Sequence, residues 1–290
     1  MRYAVRHVSE LAYASPVSRA RFNLRLSPRL RRGQTLESES LRLTPAPATR
    51  EIQRGPYWVT TTQVRFEAPL KTLEVTSEFT IELAPSPLPQ SGSSLAQLRA
   101  QVLAAADLSD LAPVPYLFAS RIATMDPAIT AWAAPYLACE TEIIAAATSL
   151  MNALYTEFTY SPGKTSSSTP PELAFKARHG VCQDFTHVMI MALRAHGVPA
   201  AYVSGYLLTR PPPGKAKLVG ADAMHAWVDV WCGRDLGWVG FDPTNNRLVG
   251  EDHIAIAMGR DYADISPIDG TFIGGAPQTM KSAVDVERIA

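Results

Sequence analysis

The sequence predicts an α+β protein in which a β-rich N-terminal sandwich precedes a core of helices followed by antiparallel strands. Three observations carry that prediction. Apolar residues alternate with a period of two up to about residue 85, a proline-rich break follows, and spacings of three and four then give way to short alternating runs. At 290 residues the chain is long enough for two domains, and its core needs neither a metal nor a disulfide as a staple.

In the first unit, residues 1–90, the alternation is clearest over 73–83. Leu73, Val75, Phe79, Ile81 and Leu83 share one face, with Ser77 as the interruption. Leu41 with Leu43 and Val64 with Phe66 repeat the pattern, and Pro- and Gly-containing segments between them supply turns. Residues 84–94 hold three prolines among small polar residues, which marks a boundary. The second unit, 91–290, opens with helical spacing at Leu95, Leu98 and Val102. A longer helix follows on Ile143, Ile144, Ala147, Leu150, Met151, Leu154, Tyr155 and Phe158. After a Ser/Thr/Pro loop over 161–171, a third helix starts near Cys182 and stops at Gly197, with Pro199 beyond it. Strands are expected over 200–208, 224–231 and 238–242, with a loop over 211–220. On the second of these strands His225, Trp227, Asp229 and Trp231 fall on one face.

Composition removes several function classes. Lys plus Arg and Asp plus Glu are equal at 27 each, so the whole molecule offers no electrostatic footprint for nucleic acid or an anionic membrane. The longest apolar run, 188–193, is six residues, against the roughly 20 a spanning helix requires. The first seven residues carry basic side chains without an apolar block or cleavage site, so the cytosol is the expected compartment. Three widely spaced cysteines, Cys139, Cys182 and Cys232, argue against a disulfide framework.

Cys182 stands out among them. In Gly180-Val181-Cys182-Gln183-Asp184-Phe185 the thiol occupies the first turn of a predicted helix, where unpaired amide N–H groups and the helix dipole favour a thiolate. The same amides can receive the oxyanion formed when sulfur attacks a carbonyl. The competing reading is an inert packing thiol, which is how most free cysteines behave. A nucleophile needs a base and a group that orients the base. His225 and Asp242 supply both types on adjacent predicted strands. If Gly233-Arg234 is a two-residue hairpin loop, the register sets His225 directly opposite Asp242; a longer loop shifts it.

The stretch from Arg178 to Asn246 resembles the transglutaminase-like superfamily of papain-type cysteine enzymes, in its bacterial branch with an extra N-terminal domain. The resemblance rests on Gly-Val-Cys-Gln-Asp-Phe at 180–185, Gly-Val-Pro-Ala at 197–200 and Val-Ser-Gly-Tyr-Leu at 203–207. It continues through His-Ala-Trp-Val at 225–228 and Gly-Trp-Val-Gly-Phe-Asp-Pro-Thr-Asn at 237–245. The tail, with His253-Ile254 and Gly259-Arg260-Asp261-Tyr262-Ala263-Asp264, and the opening Arg6-His7-Val8 and Leu24 to Arg29 are similar to that branch too. The resemblance implies a papain-like core acting on a peptide or protein substrate, with Cys182 as nucleophile, His225 as base and acid, and Asp242 as its partner. It also implies an aromatic near the oxyanion, loosely matched by Tyr160. Arg54-Gly55-Pro56-Tyr57-Trp58 departs from the Asp-Tyr-Phe-Gly-Asn of the branch.

Other chemistries fit less well. His179 and His187 flank Cys182 without zinc-ligand spacing, so no metal is expected. Pro162-Gly163-Lys164-Thr165 lacks the glycine a phosphate loop needs, because position 158 is Phe158. The acids Asp229, Asp235, Asp242 and Asp252 do not match a calcium loop, so no cofactor of any kind is expected. Cys139 and Cys232 are read as structural, and Trp227, Trp231 and Trp238 as core or cleft wall. Two function classes remain. One is a cysteine enzyme, a protease or amidohydrolase in the first instance and otherwise a transamidase; the other is a peptide-binding module with a latent triad.

Overall fold

The computed structural model describes every residue except 32, 86–88, 90, 106, 108, 209–221, 276 and 290. The loop expected over 211–220 and part of the proline-rich break lie outside the described residues. The chain opens with six strands: β1 (Arg2–Val17), β2 (Arg19–Leu24), β3 (Gln34–Thr44), β4 (Thr49–Arg54), β5 (Thr60–Phe66) and β6 (Leu70–Leu83). Helices α1 (Leu95–Leu103), α2 (Pro127–Ala133) and α3 (Ile143–Glu157) follow. Next come β7 (Thr159–Tyr160), α4 (Pro171–Ala177), β8 (His179–Gly180) and α5 (Cys182–Ala195). The remainder is β9 (Ala200–Leu207), β10 (Met224–Trp231), β11 (Trp238–Asp242), β12 (Arg247–Leu248), β13 (His253–Gly259), α6 (Tyr262–Ile265), β14 (Ile268–Ile273) and β15 (Gln278–Arg288). No helix among the described residues is long and apolar enough to cross a membrane.

Two four-stranded sheets, ordered β15-β1-β6-β3 and β14-β2-β5-β4, face each other as a sandwich. Leu11, Leu73 and Val75 from one meet Phe22, Val64 and Phe66 from the other. Ser77, which breaks the apolar alternation of β6, is buried and gives its hydroxyl to the Leu26 carbonyl at 2.9 Å, so the position is satisfied rather than solvated. The sequence reading assigns 91–290 to one unit. Instead, β14 pairs with β2 and β15 pairs with β1 over eleven residues, so the chain returns to the sandwich at its end. The pattern hides this because β15 is an edge strand held mainly by backbone hydrogen bonds; of its residues only Val284 and Val286 are buried.

The second layer is a five-stranded antiparallel sheet ordered β12-β11-β10-β9-β13. Helix α5 lies against β9 and β10, with α2, α3 and α4 around it. The six-residue apolar run is therefore a helix buried all round: Val188 through Leu193 are each at most 1% exposed. Burying side chains of this size is worth roughly 1.5–3 kcal/mol each, which pins α5 and with it the residue at its start. The other face of the five-stranded sheet is covered as well. Trp58 packs there on Trp227 and Met258, while on the face that carries Tyr202 the sandwich residues Tyr3, Val5 and Phe79 pack on Tyr206 and Ile254. Strand β10 is thus buried on both faces, where alternation alone predicts one.

Candidate active site

Helix α5 begins where a side chain locks its first turn. Val181 is extended, Cys182 is the first helical residue, and the Asp184 carboxylate folds back to accept the Val181 N–H at 2.8 Å and the Thr165 hydroxyl at 2.7 Å. The carboxylate packs so closely on Gly180 that a Cβ there would lie 2.5 Å from its Oδ2. The Gly-Val-Cys-Gln-Asp motif is thus a device for starting a helix at the cysteine. The amides of Cys182 and Gln183 fall in the first turn, where no intrahelical acceptor exists. The Cys182 thiol is partly exposed, whereas Cys139 is exposed and Cys232 is buried, with its thiol pushed up by burial.

His225, near the start of β10, faces that thiol. Its Nε2 lies 2.8 Å from Asp242 Oδ2, which leaves Nδ1 for the sulfur. Burial alone would lower the imidazole pKa, but hydrogen bonds with Asp242 and Cys182 outweigh it and raise it to about 10. Asp242, at the end of β11, is fully buried. Burial pushes its carboxyl up, and hydrogen bonds from His225 and His253 overcome that and hold it far below the usual range. Oδ1 accepts the Thr244 and Asn245 N–H groups at 3.0 and 3.2 Å, an Asx turn that fixes the carboxylate plane. Oδ2 takes His225, the Asn245 side-chain amide at 2.7 Å and His253 Nε2 at 3.2 Å.

The structure brings Cys182, His225 and Asp242 together, by a register other than the simplest one. The β10–β11 ladder pairs Val228 with Phe241 and Trp231 with Trp238, so the loop spans six residues, 232–237, not two. Relative to the two-residue hairpin the strands slide by two positions. An even shift leaves every side chain on its face, and Asp242 still reaches His225 diagonally. Tyr160 pairs in β7 with Gly180 of β8, beside the start of α5. It is 53% exposed, and burial and then the Cys182 sulfur push its hydroxyl pKa up, so it stands at the lip of the thiol.

Asn245 and His253 were not singled out as site residues in the sequence. Asn245 is visible there as the fourth residue of an Asp-x-x-Asn turn; His253 lies on another strand, and the resemblance of the His253-Ile254 tail marks the position without giving it a role. Ligand atoms of His225, Asp242 and His253 lie within 4.8 Å of one another and are the group of metal-ligating type among the described residues. Hydrogen bonds already account for their approach. His187 is elsewhere: buried, tilted against Tyr202 with ring centroids 4.9 Å apart and accepting the Tyr262 N–H, with its pKa lowered to about 4 by burial. Tyr57 and Trp58, where the N-terminal motif departs from the branch, pack on the five-stranded sheet, and the Trp58 carbonyl accepts the Met258 N–H at 2.9 Å.

Comparison with known proteins adds three findings. Residues 130–243 match the model of the transglutaminase-like superfamily, and residues 3–82 match that of the bacterial transglutaminase-like N-terminal region. An uncharacterized protein of Mycobacterium tuberculosis is 36% identical over 274 residues, covering 93% of this chain and 87% of its own. A protein-glutamine gamma-glutamyltransferase of Pseudomonas aeruginosa is 35% identical over 88 residues, 30% of this chain and 13% of that enzyme. Among solved structures, a candidate cysteine protease from Cytophaga hutchinsonii shares the fold with a TM-score of 0.75 at 23% identity, covering 100% of this chain and 92% of that one.

Proposed function

This chain belongs to the transglutaminase-like superfamily, and from that premise we propose that it is a cysteine enzyme that breaks peptide or glutamine-type amide bonds through a thioester. The observation that carries the reading is the line of contacts from Cys182 through His225 to Asp242, the last 2.8 Å long, at the start of a helix. The Cys182 sulfur attacks the amide carbonyl carbon, and the carbonyl oxygen, now an oxyanion, meets the first-turn amides. His225 gives its proton to the departing nitrogen as the C–N bond breaks, leaving an acyl thioester on Cys182. Water then attacks the thioester carbonyl carbon as His225 takes its proton. The C–S bond breaks, and the acid leaves, with the Cys182 thiolate and the His225 imidazolium restored. The buried Asp242 carboxylate stabilises the imidazolium throughout.

An amine in place of water gives transamidation with the same residues. Similarity to the gamma-glutamyltransferase over 88 residues favours keeping this second reading. The test is iodoacetamide labelling of native protein across pH, read by peptide mapping. Selective modification of Cys182 near pH 6, lost in His225→Ala, is the expected result, with Cys139 and Cys232 as internal controls. Equal labelling of all three thiols, or an unreactive Cys182, points to a peptide-binding module. A peptide library incubated with and without a primary amine, read by mass, separates hydrolysis from transamidation.

A further inference from the structure

Resting on that reading, we propose that His253 is a positioning residue of the same site, which holds the Asp242 carboxylate against His225 from the side opposite the nucleophile. Its ring is buried, and both nitrogens face carboxylate oxygens: Nε2 at 3.2 Å from Asp242 and Nδ1 at 2.8 Å from Asp252. Asp252 is in turn paired with Arg247 at 2.9 Å. The Gly250 N–H approaches the same Nδ1 at 3.3 Å, and Trp227 stands edge-on to the ring at 5.4 Å. The ring is therefore fixed in place and in rotation. A neutral imidazole donates from one nitrogen and accepts at the other, so a carboxylate acceptor at each nitrogen is more than burial of the ring requires.

The fold spends specific features on this approach. His225 on β10 is opposite Gly205 on β9, and Gly205 is opposite Ala255 on β13, two positions from His253. Both histidines therefore lie on one face of the sheet. The absent side chain of Gly205 makes room for Trp227, since a Cβ there would fall 2.6 Å from the indole. The two imidazole centroids come to 6.3 Å, with the Asp242 carboxylate between them. Without His253, Oδ2 keeps only the Asn245 amide to hold it while His225 swings between thiol and leaving group. A reacting group displaced by about 1 Å loses on the order of a hundredfold in rate.

The experiment compares wild type with His253→Phe, His253→Gln and Asp252→Asn. It reads the Cys182 alkylation rate at pH 6, the NMR titration of His225 and, on a peptide substrate, kcat and KM separately. His253→Phe is expected to lower alkylation and kcat by roughly tenfold to a hundredfold with KM unchanged. His253→Gln, whose amide can still donate to Asp242, is expected to recover part of that loss, and Asp252→Asn to move the same readouts less. If His253→Phe does not fold, the Gln and Asn variants carry the decision. Wild-type alkylation, His225 titration and kcat in the folded variants would overturn the role. Alkylation and titration need no substrate, so the absence of turnover on every peptide would sink the proposed reaction and leave this test standing.

Discussion

Asp242→Asn, nominally conservative, is expected to be among the most damaging substitutions at the site. Oδ1 takes two backbone N–H groups at 3.0 and 3.2 Å, and Oδ2 takes three donors between 2.7 and 3.2 Å. An asparagine has one oxygen and one NH2, so either orientation turns donors on donors. The better one aims the NH2 at the Thr244 and Asn245 amides. A donor left unsatisfied costs roughly 1–3 kcal/mol, and partial access of water at Asn245 favours the low end, giving an expected loss of about 2–4 kcal/mol in urea unfolding at pH 7. The charge is lost as well. His225 is raised to about 10 against the pull of burial. Returned to its unperturbed value near 6.5, it would be only about 10% protonated at pH 7.5, so Cys182 alkylation should fall about tenfold there. A stability loss under about 1 kcal/mol with unchanged alkylation would refute the reasoning, because five converging donors could not then matter.

Three further outcomes follow from buried polar groups and one close approach. Burial lowers His7 and His187 to about 4, so each should cost stability as pH falls from 6.5 to 4, about 3 kcal/mol for the full shift; His7→Gln should flatten that acid limb of the urea midpoints, and an unchanged slope would refute it. His225 runs the other way: its contribution is complete below 6.5 and is lost as pH rises through about 10, so His225→Gln should flatten the alkaline limb. Arg31→Ala strands the fully buried Asp229 without its cation and should cost roughly 3–5 kcal/mol, with Asp229→Asn in the same chain recovering part; a loss under about 1 kcal/mol in urea would mean the pair is dispensable. Gly205→Ala sets a Cβ 2.1 Å from the Ile254 carbonyl oxygen, a backbone atom that cannot step aside, and a melting temperature equal to wild type would contradict the packing described.

Local signals in the sequence were legible wherever one element decides its own structure. The period-two run of β6, the three- and four-residue spacings of α1 and α3, and the helix opening at Cys182 each depend on residues close in sequence. Signals that depend on a distant partner were not. Nothing within β15 says that it will complete a sheet with β1, because an edge strand buries few side chains. The β10–β11 register slipped by two because the 232–237 loop closes on itself, with Cys232 N–H on the Gly237 carbonyl and Gly237 N–H on the Gly233 carbonyl, both at 2.8 Å. The face assignment survived since side-chain direction repeats every two residues, whereas pairing partners do not. His253 is the instructive case. It meets Asp242 only once β13 is laid beside β9, a contact invisible to spacing.

The same distance dependence explains why the N-terminal unit belongs to the site and is more than an appendage beside it. Strand β13, which carries His253, is the edge of its sheet and changes register between Ala255 and Ala257. Such an irregularity leaves backbone groups that the neighbouring strand cannot pair. Gln34, at the start of β3, meets them with its side-chain amide: Nε2 donates to the Ala255 carbonyl at 2.8 Å and Oε1 accepts the Ala255 N–H at 3.0 Å. Three residues earlier in the chain, Arg31 pairs with Asp229, whose other oxygen takes the Trp227 indole N–H at 3.2 Å, and Trp227 is the ring set edge-on to His253. Arg31 and Gln34, which bridge one N-terminal turn, thus fix, by separate routes, the strand and the indole that place His253 against Asp242. A core excised at residue 91 would keep all three of Cys182, His225 and Asp242 and lose both supports. The geometry behind His225 is therefore a property of the whole chain.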